Sequence, residues 1–312
     1  MSKQAPLRAV ALMGATGTGK SALALALAEP RDICLISCDS MQVYQGLDIG
    51  TSKPLPSEQA KVRHALIDCT DVSAIWNAQI WADAALKIIA QENLNGKVPI
   101  IVGGTGMYLK ALLQGFAEVP AEKEGVRAHF EQIQQEQGTA YLYQQLQVVD
   151  AALASRLEPQ DSQRIIRGLS VFESTGIPLS VWHDKQAKSE QQAKDNIHCP
   201  VFVLERPREE LRARIAKRFM QMMDVGWLEE TKWLQSLGLP DTHPVMRAVG
   251  YRQLLDHLQG DDSLDAAIEK GITATRRYAK RQGTWFRNQT KTAFRGQTSE
   301  VEQAMKSALG RY

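Results

Sequence analysis

Cysteine is scarce: Cys34, Cys38, Cys69 and Cys199 are the only four in 312 residues, and no two stand in C-x-x-C spacing. That excludes a disulfide framework and offers no zinc ligand set, so buried free thiols are expected. The six histidines (64, 129, 183, 198, 243, 257) are equally scattered. No apolar run approaches bilayer length, and Met1 to Pro6 is too short for a secretory signal, so the chain is expected to stay in the cytoplasm. No internal repeat, coiled-coil seam or exposed apolar repeat is visible, which makes a monomer the default. An N-K-x-D guanine-specificity element is missing too, which argues against a GTPase. Charge of one sign is also lacking overall, since 37 basic and 35 acidic residues leave +2, but that near-balance hides a local excess. The 44% hydrophobic and 23% charged content is that of an ordinary globular chain with ample core.

Gly14-Ala15-Thr16-Gly17-Thr18-Gly19-Lys20-Ser21 fits the phosphate-cradling pattern G-x-x-x-x-G-K-[ST]. An apolar run, Ala9 to Met13, enters it as a buried strand, and an Ala/Leu-rich helix, Ser21 to Ala28, leaves it. Glycine permits the positive φ that brings successive N–H groups onto an anion, and the helix dipole points at the same place. Lys20 adds a point charge for the outer phosphates, and the Ser21 hydroxyl is the candidate ligand for Mg²⁺.

Further strands are expected at Ile33 to Ser37, Ala65 to Asp68, Val98 to Val102 and Pro200 to Leu204. Helices are expected over Trp76 to Glu92, from Met107 onward and over Glu209 to Met223, with Asp265 to Arg287 closing the chain. Strands alternating with helices predict an α/β fold: a P-loop NTPase-like, doubly wound parallel sheet flanked by helices. Residues 120–197 are glutamine-rich without a convincing strand. Helices at Ala151 to Leu157 and Gln163 to Phe172, the latter capped by Asp161 or Ser162, mark an all-helical insertion domain. The core is then 1–119 with 198–312. Ligands of open α/β sheets collect at strand carboxyl ends, so the phosphate loop, Asp39 to Gln42 and Gly103 to Gly106 should share one crevice.

Asp39 follows a strand and precedes an expected short helix; it either caps that helix, holds Mg²⁺ or acts as a general base. Thr105, in a glycine-flanked turn, is either a turn residue or a hydrogen-bonding partner for the same substrate group. Arg214 and Arg218, one helical turn apart, either clamp a phosphate or form a solvated face. Residues 270–295 hold Lys270, Arg276, Arg277, Lys280, Arg281, Arg287, Lys291 and Arg295 and no acid. Tyr278, Trp285 and Phe286 lie among them. Phosphate neutralisation plus base stacking favours nucleic acid; the alternative is a basic amphipathic helix with its aromatics in the core.

Together these segments resemble the tRNA dimethylallyltransferase (tRNA isopentenyltransferase) family over nearly the whole chain. The resemblance is carried by Gly14 to Ser21, Asp39-Ser40-Met41-Gln42-Val43-Tyr44, Asp48 to Pro54 and Val102 to Tyr108. It continues through Pro159 to Arg167, Thr175 to Pro178, Arg214 to Met222, Arg247 to Gln253 and Lys280 to Arg287. Ala65 and Gly168 depart from the family pattern.

The resemblance implies transfer of a dimethylallyl group from dimethylallyl diphosphate to N6 of the adenosine 3′ of a tRNA anticodon, with Mg²⁺ as cofactor. Asp39 would be the base, Thr105 would orient the amine, and Lys20, the loop N–H groups and Arg218 would stabilise the leaving diphosphate. It implies tRNA contacts from Asp39, Ser40, Met41, Gln42, Thr105 and Arg127, and from Gln163, Arg164, Ile165, Ile166 and Arg167. Arg247, Ala248, Val249, Gly250, Tyr251 and Arg252 would join them, as would Lys280, Arg281, Gln282, Gly283, Thr284, Trp285, Phe286 and Arg287. The rivals are a phosphate-loop kinase of a small metabolite, a nucleotide-switch protein, and an isopentenyltransferase acting on free adenine nucleotides. The kinase has no need for the basic C-terminal segment, and the free-nucleotide enzyme has little use for it or for the insertion.

Overall fold

A computed structural model describes residues 5–115, 119–184 and 196–311. The chain divides into two compact units, 1–113 with 195–312, and 114–194.

The larger unit is built on a parallel six-stranded sheet in the order β4-β3-β5-β2-β7-β8. Its strands are β2 (Val10–Gly14), β3 (Leu35–Cys38), β4 (His64–Ala65), β5 (Ile100–Gly103), β7 (Val201–Leu204) and β8 (Phe294–Gly296). A two-stranded parallel pair, β1 (Leu7–Arg8) with β6 (Ile197–His198), lies before it. Strands β2, β3 and β7 are buried at every position, as strands covered by helices on both faces must be. The interior of this unit gathers Val10, Leu12, Leu23, Leu27, Leu35, Ile100, Phe202 and Met305.

The order β3-β5-β2 places three consecutive carboxyl ends side by side: Asp39 after β3, Gly104-Thr105 after β5, and the phosphate loop after β2. Neighbouring strands stand about 4.8 Å apart, so all three turns fall within reach of one small ligand. Gly103 makes this possible: a Cβ there would stand 2.1 Å from the Cys38 carbonyl oxygen.

Helices α1 (Lys20–Ala28), α2 (Pro56–Gln59), α3 (Ala78–Leu94) and α4 (Gly106–Gln114) connect the first strands. Asn77 caps α3 by accepting from the Gln79 and Ile80 N–H groups. The expected strand Ala65 to Asp68 is shorter than the sequence suggested. Pairing stops at Ala65 because Leu66 and Asp68 take positive φ (+59° and +50°) and turn the chain out of the sheet. No short helix follows Asp39 either; residues 40–43 are turns, and the Asp39 carboxylate accepts from the Met41 N–H at 2.9 Å. Of the four thiols expected to be buried, Cys34 and Cys38 are, Cys199 is half-buried and Cys69 is exposed.

In the smaller unit, α5 (Val126–Val149), α6 (Ala151–Ala154) and α7 (Ser162–Thr175) enclose a core of Phe130, Leu142, Leu146, Ile165, Ile166 and Leu169. Helix α5 escaped the sequence reading because only Phe130, Leu142 and Leu146 of its 24 residues are buried. It also breaks at Gly138 (φ +83°). Asp161 caps α7 through the Arg164 N–H. Residues 185–195, part of the expected insertion, lie outside the described residues.

Back in the larger unit come α8 (Arg208–Asp224), α9 (Trp227–Ser236), α10 (Tyr251–Leu258) and α11 (Leu264–Asn288). The chain does not close on α11 as expected. Strand β8 extends the sheet edge, and α12 (Thr298–Leu309) buries Val301, Met305 and Ala308 in the core.

Candidate active site

The phosphate loop turns through Gly17 (φ +83°) and Gly19 (φ +98°), conformations that side chains with a Cβ rarely adopt. Its carbonyl oxygens are held by cations. Lys20 Nζ donates to Ala15 O at 2.8 Å, Arg214 Nε to Gly17 O at 2.9 Å and Arg206 Nε to Thr18 O at 2.6 Å. Thr18 Oγ1 also donates to Ala15 O, at 2.9 Å. Carbonyl dipoles that would repel a phosphate are thus neutralised, while Lys20 and Ser21 open α1 with the positive end of its dipole. On the far side of the loop, Thr16 N–H donates to Gln282 Oε1 at 2.8 Å, and Gln282 Nε2 donates to Gly104 O at 2.9 Å.

A cavity of about 640 Å³ within the larger unit takes in Thr16, Gly17, Lys20 and Ser21 from the loop and Asp39 to Gln42 from the end of β3. Val102 to Gly104 from the end of β5 complete the three expected strand ends, and Arg218, Phe219, Met222 and Trp227 come from α8 and α9. Arg247, Ala248, Val249 and Tyr251 also line it, as do Tyr278, Arg281 and Gln282 of α11. Its volume is that of a small-molecule site.

Charges inside the cavity perturb one another. Burial, and then the Arg218 charge, pull Lys20 down to about 8 despite the opposing pull of Asp39. Burial pushes the Asp39 carboxyl up, against the Met41 N–H and the Lys20 charge. Burial lowers Arg218, which Asp39 partly restores. Thr105 does not line the cavity; its hydroxyl accepts from the Ser40 N–H at 3.1 Å and its own N–H donates to Cys38 O at 3.1 Å, tying the end of β5 to that of β3.

The half-buried Gln42 is fully engaged. Its oxygen accepts from Ser37 Oγ at 2.8 Å, and its amide donates to Thr51 O and Ser52 O, both at 3.2 Å. This loop, residues 48–53, was not in the sequence-derived site. Ser52 lies in the left-handed region (φ +52°), and its hydroxyl accepts from the Arg218 guanidinium. Arg206 and Glu230 were missed too, because no local signal connects them to residues about 180 positions away. Glu230 accepts from the N–H groups of Asp48, Ile49 and Gly50 at 2.7, 2.8 and 2.9 Å.

Of the basic C-terminal run, Lys280, Arg281, Thr284 and Arg287 are exposed. Phe286 is fully buried, Gln282 nearly so, Gly283 is half-buried, and half-buried Trp285 packs where a Gly106 Cβ would be. The bases cannot stack on Phe286: this aromatic belongs to the core. Arg247 and Arg252 are exposed, Ala248 and Val249 half-buried, Gly250 and Tyr251 buried. In the smaller unit Ile165 and Ile166 are core, and Gln163 is exposed. Three of its arginines face acids: Arg164 to Asp161 at 3.3 Å, Arg127 to Glu131 at 3.1 Å and Arg167 to Glu122.

Among the described residues no group of three or more His, Cys, Asp or Glu is placed to hold a metal ion. The Ser21 hydroxyl and Asp39 carboxylate on one cavity still suit Mg²⁺, which takes one or two protein oxygens and completes its shell with phosphate and water. No helix among the described residues is long and apolar enough to cross a membrane.

The family model for IPP transferases matches residues 42–289. A tRNA dimethylallyltransferase of Magnetococcus marinus is 44% identical over 278 residues, 88% of this chain and 90% of the relative. One from Azorhizobium caulinodans is 42% identical over 288 residues, covering 92% and 91%. The crystal structure of full-length tRNA isopentenylpyrophosphate transferase from Bacillus halodurans superposes with a TM-score of 0.68 at 30% identity, over 98% and 97% of the two chains. A eukaryotic dimethylallyltransferase acting on tRNA superposes with a TM-score of 0.72 at 26% identity, over 89% of this chain and 69% of that one. With the family model spanning most of the chain and relatives 42–44% identical over 88–92% of it, the chain belongs to the IPP transferase family.

Proposed function

We propose that this protein transfers a dimethylallyl group from dimethylallyl diphosphate to N6 of the adenosine 3′ of a tRNA anticodon, releasing diphosphate. The observation that carries the reading is the union of a phosphate loop, a half-buried carboxylate and an apolar wall in one cavity. The N6 lone pair forms the new bond to C1 of the allyl group as the C1–O bond breaks, and the N6 proton passes to Asp39. An adenine amine is a weak nucleophile because its lone pair is delocalised, and a positioned base is worth roughly 10²–10⁴-fold. Burial that raises the Asp39 pKa makes it a better proton acceptor at neutral pH.

Lys20, the loop N–H groups and Arg218 stabilise the charge that grows on the leaving diphosphate. Ser21, with Asp39 nearby, would hold Mg²⁺, which supplies further neutralisation of the diphosphate. Ile215, Phe219, Met222 and Trp227 give the dimethylallyl group an apolar wall. Thr105 acts by fixing Ser40 beside Asp39. An anticodon-loop base is single-stranded and can be splayed out, at a cost of a few kcal/mol.

Gln42, with Ser40 and Met41, shapes the base pocket, and the exposed Arg247, Arg252, Lys280, Arg281, Thr284 and Arg287 contact RNA. The smaller unit adds Arg127, Gln163, Arg164 and Arg167. The protein acts where tRNA is, in the cytoplasm, as a monomer.

Incubating the purified protein with labelled dimethylallyl diphosphate and either unmodified tRNA or AMP tests this. Label is expected in tRNA; label in AMP and none in tRNA overturns the reading.

A further inference from the structure

We propose that Glu230 is the positioning residue for Arg218, acting through the loop 48–52 and the Ser52 hydroxyl. The inference rests on the transfer reading above for what Arg218 does, but its geometry stands apart from it. Three successive N–H groups, those of Asp48, Ile49 and Gly50, converge on the Glu230 carboxylate at 2.7–2.9 Å, and Tyr251 Oη donates to the same Oε1 at 2.5 Å. Successive N–H groups arranged in this way form a nest that selects an anion. Here the anion belongs to the protein itself, and it sits on α9, outside the cavity lining.

The nest governs the next two residues. Ser52 N–H donates to Ile49 O at 2.9 Å and Lys53 N–H to Asp48 O at 3.0 Å, so the turn that Glu230 holds closes on Ser52. Ser52 is fixed at φ +52°, a conformation serine leaves readily when nothing holds it. Its hydroxyl accepts from Arg218, a guanidinium with Asp39 and Arg214 for charged neighbours. Only a carboxylate suits the nest. It is acceptor at both oxygens, whereas glutamine would turn an NH₂ onto N–H donors. The charge of Glu230 therefore aims the charge of Arg218.

The test compares Glu230→Gln, Ser52→Ala, Arg218→Lys and the double variants in the full-length protein, each checked for a native melting profile. A guanidinium out of place by an ångström costs on the order of 10²-fold. We expect kcat for transfer to tRNA to fall about 10–100-fold in Glu230→Gln with the tRNA KM within about twofold. The Kd for inorganic diphosphate should rise about tenfold, the scale of a lost charge-assisted hydrogen bond. Adding Ser52→Ala or Arg218→Lys to Glu230→Gln should cost no more than the worse single change. Additive losses, or a diphosphate Kd unchanged in Glu230→Gln and Ser52→Ala, overturn the proposal and leave Glu230 a loop anchor. If the wild type transfers nothing to tRNA, the transfer reading fails, while the diphosphate cycle still decides the role of Glu230.

Discussion

Thr16 and Gln282, 266 positions apart, are joined by a 2.8 Å hydrogen bond from the Thr16 N–H to the Gln282 side-chain oxygen. The amide end of the same side chain donates to Gly104 O, so one buried glutamine ties together two strand ends that flank the cavity. In Gln282→Ala both backbone groups lose their partner, which costs about 1–3 kcal/mol in a buried setting. In Gln282→Glu an acceptor faces the Gly104 carbonyl, and the loss should be no smaller. Urea denaturation reads both, and an unchanged midpoint would show that the strand ends hold their spacing without it.

Lys20 titrates near 8 because burial and Arg218 oppose its charge. Its pKa is lowered from 10.5, so the unfolded chain binds more protons between about 8 and 10.5 and the Lys20 contribution to stability rises with pH across that window. Binding runs the other way: affinity for inorganic diphosphate should weaken as pH rises through about 8 and Lys20 loses its proton. Calorimetric titrations of wild type against Lys20→Arg, which stays charged, isolate this step from the titration of diphosphate itself. Parallel curves would remove Lys20 from the phosphate contact.

Asp39→Asn should cost roughly 10²–10⁴-fold in kcat, with diphosphate binding unchanged or tighter. In the wild type, kcat should rise with pH through the elevated Asp39 pKa, since the base works only when ionised. A carboxyl raised by burial holds its proton longer in the folded state, so its stability contribution falls as pH climbs past 3.8 through that raised value. Asp39→Asn should accordingly melt higher than wild type at neutral pH. A weaker diphosphate Kd instead would make Asp39 chiefly a metal ligand.

Arg281 and Arg287 stand exposed on α11. Converting both to Ala should weaken tRNA binding and flatten the log Kd against log salt slope by about 1–2, given roughly 0.7–0.9 per phosphate neutralised. An unchanged slope assigns them to the solvated surface.

Much of this site was legible in the chain. Phosphate-loop chemistry is local: Gly17, Gly19, Lys20 and Ser21 lie within five positions and need no distant partner to be read. Alternating buried strands and helices placed Asp39 and Gly104 at strand ends, because a parallel sheet puts every carboxyl end on one edge. Helix α5 was hidden by its small buried face, and the strand expected at 65–68 ends at Ala65 because of two positive φ values that composition does not announce.

Sequence alone thus pointed to the phosphate cradle, offered the carboxylate beside it as a candidate and exposed the basic run that α11 largely carries, since each is written in contiguous residues. Tertiary structure decided which members of that run face water. Phe286 and Gln282 lie on the inward stripe of a helix whose burial depends on what packs against it. It also decided that Ser52, Arg206 and Glu230 support the site. Their partners are separated from them by more than 160 positions, and hydrogen bonds across such distances exist only once the sheet has brought the segments together.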